Sequence, residues 1–384
     1  YLPTTDNLDL TDLYTTGEAG YKRHRIPALV LSTCGTVLAF AEARRHTGAD
    51  DDEIDIVLKR SFDGGTSWEP RQTVVSDGDR TCGNPCPAID MQTGTIVLPF
   101  CKENQQVFIT RSKDDGETWS TPVEITDDVK DPAWTYLGTG PGHGIQLQSG
   151  RLLIPSWCDE SPGPATWRPA GWGKTQSSVA FYSDDHGETW QSSEKMTTDA
   201  SDEWEAVELG NGSIHGSLRS RQDQHCRAFS WSRDGGHSWS DVEYDDSLPE
   251  PSCQGSIIRY DGERILLAHP SATGDRTQLT IRLSHDGCKT WPVSRVLEPG
   301  SAAYSDLAVT DDGQILCLYE ANNYDRLVLA RFNIDWLESK DDSLTAPSDG
   351  DTPAIPSPIG PNGQGSSNLR VLSGKVFRFL PRLF

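Results

Sequence analysis

The chain has 384 residues, room for two ordinary domains or one large all-β unit. Its hydrophobic share is 35%, with 35 glycines and 24 prolines, which points to many turns, and its longest apolar runs, Ile26–Leu31 and Ile54–Leu58, are far too short to span a bilayer. Asp and Glu number 57 against 34 Lys and Arg, a net charge of -23 that repels polyanions and excludes nucleic acid as a partner.

The same charge sharpens a second expectation. Any anionic ligand would oblige this protein to gather positive charge locally, against its own field. The chain opens at Tyr1 rather than Met, so the missing leader says little about export. The reading is a soluble monomer, with an extracellular setting ranked ahead of a cytoplasmic one. Nine cysteines leave at least one unpaired, and their spacing offers no metal-binding pattern with matching histidines. Cys82 and Cys86 flank a turn and are either a disulfide or two buried thiols.

In chain order, five short β-rich runs each lead into one pattern, Ser-x-Asp-x-Gly-x-x-Trp. Ile54–Lys59 precedes Ser61–Trp68, Val107–Thr110 precedes Ser112–Trp119, and Ser178–Tyr182 precedes Ser183–Trp190. Arg227–Trp231 precedes Ser232–Trp239, and Leu279–Leu283 precedes Ser284–Trp291, where Cys288 replaces the glycine. The copies start 51, 71, 49 and 52 residues apart. The Asp accepts hydrogen bonds from nearby amides, the Gly permits positive φ, and the Trp packs over the hairpin. A period near fifty residues with several strands per repeat predicts an all-β fold, a six-bladed β-propeller. The sixth blade is expected around Ile315–Phe332, with Asn333–Trp336 as a decayed turn.

The 71-residue interval implies an insertion, expected at Trp157–Lys174, which cannot be a strand and reads as a loop over one face. After Trp336 the composition changes. The propeller is therefore placed at 1–339, and 340–384 is a disordered linker followed by a basic, apolar tail carrying Arg370, Lys375, Arg378 and Arg382.

Further stretches carry a resemblance. They are Tyr21-Lys22-Arg23-His24-Arg25-Ile26-Pro27, Phe40–Arg44, Asn84–Pro87, Gly140–His143, Ser301–Leu307 and Leu318–Asn322. With the five Asp boxes, and in this order, they are similar to the animal cytosolic and bacterial exo-sialidases. The tail lies outside the resemblance.

That resemblance implies a propeller that hydrolyses terminal sialic acid with retention. The sugar carries a carboxylate on its anomeric carbon, and guanidinium groups suit it because they stay charged and form forked hydrogen bonds. The family's three arginines correspond to Arg25, Arg219 and Arg282, with Glu320 holding Arg25. Tyr304 is the nucleophile, a neutral group that avoids repulsion by the substrate carboxylate, and sialidases are a known Tyr-nucleophile exception among glycosidases. Glu203 is its base, chosen among neighbouring acids, with Glu208 read as structural. Asp50 is the acid/base, with Asp51 or Asp52 taking the role if the loop register slips. Arg44 and Asn84 line the far side of the sugar. Trp157 sits beside the glycerol or aglycone region, or else packs the loop. His143 reads as turn structure, and Asn211-Gly212-Ser213 as a sequon in a turn.

No metal or organic cofactor is implied. The expected partners are sialylated glycans, glycoproteins or glycolipids. Transfer to another sugar, intramolecular transfer and preference for a deaminated sialic acid remain open alternatives. A non-catalytic sialoside-binding propeller would need a broken Tyr/Glu/Asp set, and the set is complete here.

Overall fold

A computed structural model describes residues 8–161 and 175–339. The tail at 340–384 and residues 162–174, most of the expected insertion at Trp157–Lys174, lie outside the described residues. Six antiparallel sheets succeed one another along the chain. The first is Arg23–Leu31, Val37–Arg44, Ile54–Ser61 and Gln72–Val75. In the second and third the inner strand is broken in two, Cys82–Gly83 with Ala88–Ile89 and Tyr136–Thr139 with Ile145–Gln146. The fourth is Ser201–Glu208, Ile214–Ser220, Cys226–Ser232 and Glu243–Pro249.

The fifth and sixth sheets share one 17-residue strand, Val293–Val309. Its first half pairs with Thr277–Ser284, and its second half with Ile315–Ala321. The chain is a six-bladed β-propeller. Its last blade takes its fourth strand, Asp9–Thr15, from the N-terminal side, paired with Arg326–Phe332. This closes the ring with a strand from the opposite end of the chain.

The Asp boxes hold their turns as the residue types require. Ser61 Oγ accepts from Gly65 N at 2.8 Å, and Asp63 Oδ1 accepts from Ser67 N at 2.8 Å. The same pair of bonds recurs at Ser112/Asp114, Ser183/Asp185, Ser232/Asp234 and Ser284/Asp286. The glycine position is left-handed in every copy, including Cys288 at φ 67°. Each turn also docks on a neighbouring blade. A Cβ on Gly116 would stand 2.6 Å from Leu38 Cδ2, and one on Gly236 would stand 2.7 Å from Leu153 Cδ1. Gly116→Ala is therefore expected to cost about 1–3 kcal/mol, from left-handed strain plus the clash, without altering the site. Chemical denaturation of that variant alongside a kinetic assay checks it.

Two local expectations fail. Asn333–Trp336 is not a decayed turn: Asn333 caps a short helix, Ile334–Glu338, by accepting from Trp336 N at 2.9 Å. Trp157–Asp159 is not loop: it completes the strand Leu152–Asp159, whose partner Gln176–Ser183 lies beyond the insertion, so a local reading of the composition misplaced its start. All nine cysteines are free thiols, Cys82 and Cys86 among them. No helix among the described residues is long and apolar enough to cross a membrane.

Candidate active site

A cavity of about 210 Å³ opens where the inner strands converge. Its lining holds five arginines (25, 44, 219, 221 and 276) against four carboxylates, Glu42, Asp50, Asp202 and Glu203. The positive charge demanded by an anionic ligand is thus concentrated here within a chain of net charge -23.

Three of the inner strands carry the same irregularity. Between Arg25 and Ala28, between Ser201 and Trp204, and between Ala302 and Ser305, three residue steps face two on the partner strand. Each is a one-residue bulge, and a bulge re-aims side chains that strict alternation would send elsewhere. Ile26, Glu203 and Tyr304 all sit inside these bulges. Ile26 takes φ 54°, a costly conformation for a β-branched residue, while packing against Cys253, Ala303 and Tyr304.

The bulges bring distant residues into contact. Tyr304 Oη donates to Glu203 Oε1 at 2.6 Å, and Arg219 Nη1 donates to Glu203 Oε2 at 2.7 Å and to Tyr304 Oη at 3.0 Å. Burial, then the Glu203 carboxylate, hold the Tyr304 phenol well above its usual range, and Arg219 and Arg276 oppose them. The phenol is consequently protonated at neutral pH, with an acceptor for its proton already in hydrogen-bond contact.

Glu320, fully buried, grips Arg25 in a fork, accepting from Nε at 2.9 Å and Nη2 at 3.1 Å. It also accepts from Ile26 N at 3.0 Å and Tyr304 N at 3.3 Å, tying two bulges together. Asp50 meets Arg44 Nη1 at 2.6 Å and Arg25 Nη1 at 3.3 Å, with its side chain 38% exposed. The three acids of this loop are placed differently. Asp52 turns inward and accepts from the amides of His46, Thr47 and Gly48, while Asp51 is exposed and lies outside the cavity lining.

Arg44 is buried against Glu42, and Asn84 donates from its amide nitrogen to Asn104 Oδ1 at 3.2 Å. Trp157 lines the cavity with its ring stacked on Tyr136 at 4.4 Å. Glu208 stands apart, accepting from Gln148 N. Asn211 folds back onto Ser213 within its turn.

Arg282 is the expectation that the structure does not place here. Its guanidinium bonds His269 Nε2 at 3.0 Å and Ser271 Oγ at 3.3 Å, away from the cavity lining. Arg276 occupies the wall instead. Its guanidinium lies 5.3 Å from the Tyr304 ring centroid, and its carbonyl accepts from Ala302 N at 3.0 Å, beside the bulge that bears Tyr304. Two register shifts and a left-handed Gln278 separate Arg276 from the regular strand, so alternation counted from the Asp box could not locate it. Asp202, Arg221, Gln176 and Tyr136 were also missed, and only the bulge at Asp202–Glu203 explains how adjacent acids both reach the cavity.

His143 is more than turn structure. It is buried and meets Asp306 Oδ1 at 2.7 Å and Glu205 Oε2 at 3.5 Å.

Residues 35–317 match the BNR repeat-like domain family. The chain is 31% identical to sialidase-2 of Cricetulus griseus, across 87% of this chain and 97% of that one. It is 33% identical to a sialidase of Micromonospora viridifaciens over 85% of its own length, and spans 54% of that protein. An exo-alpha-sialidase of Aspergillus fumigatus is 29% identical, with 86% and 88% covered. Among solved structures, the microbial sialidase Hz136 superposes with a TM-score of 0.76 at 27% identity, covering 85% of this chain and 69% of that one.

Proposed function

The chain belongs to the sialidase family, and from that premise we propose that it removes terminal sialic acid from glycoconjugates with retention, through a tyrosyl-enzyme intermediate. One observation carries the reading: a buried tyrosine in contact with both a carboxylate and an arginine, in a cavity where further guanidinium groups converge.

Arg25, Arg219 and Arg276 take the substrate carboxylate, which orients the anomeric carbon over Tyr304. As Tyr304 Oη attacks, its proton passes to Glu203 Oε1, and Arg219 stabilises the charge developing on the oxygen. Asp50 protonates the departing oxygen, then takes a proton from the water that releases the sugar. Its partial exposure suits both steps. Arg44 and Asn84 face the remainder of the ring, and Trp157 offers an aromatic wall.

The test is release of free sugar from α2,3-, α2,6- and α2,8-linked sialosides, followed by NMR. Initial appearance of the α-anomer supports the reading. An anhydro-sugar or a transferred product would replace hydrolysis with transfer, and binding without release would reduce the protein to a lectin-like propeller.

A sharper expectation separates the two candidate third arginines. Arg276→Ala should raise KM about 10- to 100-fold, the loss of a charge-assisted hydrogen bond to a carboxylate. Arg282→Ala should leave KM within about threefold, since its partners are His269 and Ser271. Steady-state kinetics on a fluorogenic α-sialoside reads both.

A further inference from the structure

Below the three bulges lies a closed polar cluster that the proposed chemistry does not use. Four residues on from the start of each bulge stand Leu29, Glu205 and Asp306, equivalent positions in the inner strands of three blades. Leu29 N donates to Asp306 Oδ2 at 2.6 Å. Ser256, on the inner strand of the fifth blade, lies 2.8 Å from Glu205 Oε2 and 2.9 Å from Asp306 Oδ1. Gln254 donates to Glu205 Oε1 at 3.1 Å and to the carbonyl of Ser305 at 3.0 Å. His143 enters from the third blade and meets both acids.

We propose that His143, Asp306 and Glu205 form a positioning device, pinning the three bulged strands so that Tyr304 and Glu203 are held in contact. The proposal rests on the sialidase reading for its kinetic consequence and on geometry alone for the device itself.

The strand direction gives the mechanical link. Asp306 lies two residues beyond Tyr304 and Glu205 two beyond Glu203, so fixing the second member of each pair fixes the peptide that carries the first. A bulge by itself leaves a backbone residue unpaired and the ladder locally disrupted. Here each bulge is followed at once by a side-chain or amide anchor. The backbone of the third blade closes the cluster tightly: a Cβ on Gly142, at φ 100°, would stand 1.8 Å from Glu205 Oε1.

Charge within the cluster balances. Burial disfavours the His143 imidazolium, but Asp306 and Glu205 outweigh it and raise its pKa to about 9. Burial, then Asp306, push the Glu205 carboxyl well up. A raised Glu205 carboxyl lowers the charge that this buried site has to hold. The Ser256 hydroxyl has a single proton for two acid oxygens, which fits one of them being protonated. On its other side His143 lines a second cavity with Glu208 and Arg259, a carboxylate and a cation of opposite sign. The donor atoms of the three residues lie within 4.8 Å of one another, but the 2.7 Å contact of His143 with Asp306 is a direct hydrogen bond. Two ligands of one ion at about 2.0 Å stand roughly 3.3 Å apart, so the cluster is closed by protons rather than built around a metal.

The test compares His143→Phe, which deletes the bond to Asp306, with His143→Asn, whose amide nitrogen can restore it. On a fluorogenic α-sialoside, His143→Phe should lower kcat about tenfold or more with KM within about threefold, and His143→Asn should recover kcat to within about threefold of wild type. A His143→Phe protein with kcat within about twofold of wild type, or two variants equally impaired, would overturn the proposal. Should His143→Phe fail to fold, Ser256→Ala, which removes the hydroxyl between Glu205 and Asp306, replaces it with the same expected fall in kcat, and a kcat within about twofold of wild type overturns the proposal. Hydrogen exchange supplies a readout independent of activity: amides of 201–206 and 302–307 should lose protection ahead of the outer strands in His143→Phe. If the wild type releases no sugar, the sialidase reading falls, and exchange alone decides. Unchanged protection in those segments then sinks the device.

Discussion

Tyr304→Phe is expected to lower turnover by at least about 100-fold while KM stays within about threefold. The reason lies in what the hydroxyl does and does not contact. It donates to Glu203 Oε1 at 2.6 Å and accepts from Arg219 Nη1 at 3.0 Å, while the ring packs with Ile26, Cys253 and Ala303. Phenylalanine keeps that packing, so the cavity survives and the substrate carboxylate still finds its arginines. What disappears is the oxygen proposed to bond to the anomeric carbon, with the hydrogen bond that would carry its proton to Glu203. Rapid-quench analysis of the wild type with a fluorinated sialoside should trap a covalent adduct on Tyr304. A variant that turns over normally, or an adduct mapped to another residue, would remove Tyr304 from the role.

Glu320→Gln should be as damaging, by a different path. Four donors converge on the two carboxylate oxygens: Arg25 Nε and Nη2, Ile26 N and Tyr304 N. An amide of the same shape presents one oxygen and one NH2. Whichever way it turns, the NH2 group opposes one arginine N–H and one backbone N–H. Arg25 then keeps only the longer 3.3 Å contact with Asp50, which is 38% exposed, as counter-charge, a loss of up to about 3–5 kcal/mol by comparison with other broken buried pairs. The backbone bond lost is that of the strained Ile26 in one orientation of the amide and that of Tyr304 in the other. We expect a matching fall in unfolding free energy and a drop of at least about 100-fold in kcat/KM, since Arg25 no longer has a fixed aim. Unfolding monitored by tryptophan fluorescence and kinetics on the folded fraction separate the two effects. A variant as stable and active as the wild type would mean that Glu320 is incidental.

Much of the architecture was legible because it repeats. A Ser, an Asp and a Gly at set spacing are required by one local turn, and five copies of that turn announce five blades. Even the exception was informative, since Cys288 adopts the left-handed conformation its glycine counterparts take. Closure by Asp9–Thr15 left no such mark, because pairing with Arg326–Phe332 is a contact between the two ends of the ring rather than a property of either segment.

The site divides in the same way. Tyr304, Glu203, Arg25, Arg219 and Glu320 were identifiable from their surrounding stretches, and the fold brings all five together. Arg282 was taken from the resemblance, whereas the cavity wall holds Arg276, and the register of that strand shifts twice around Gln278 between the two. Asp50 could be told from Asp52 only by seeing which carboxylate turned back to accept the amides of its own loop. His143 read as part of a glycine-rich turn, and only the packed blades show it against Asp306.

By itself, then, the sequence determined the repeated turns, the number of blades they imply, the family, and the residue types needed to hold and attack an anionic sugar. Local hydrogen-bonding demands and residue spacing are enough for that. The tertiary structure decided which arginine completes the wall, which aspartate lines the cavity, and what lies beneath Tyr304. Each of these depends on a bulge that breaks strand alternation, or on a contact across blades far apart in the chain, and neither leaves a periodic trace in the sequence.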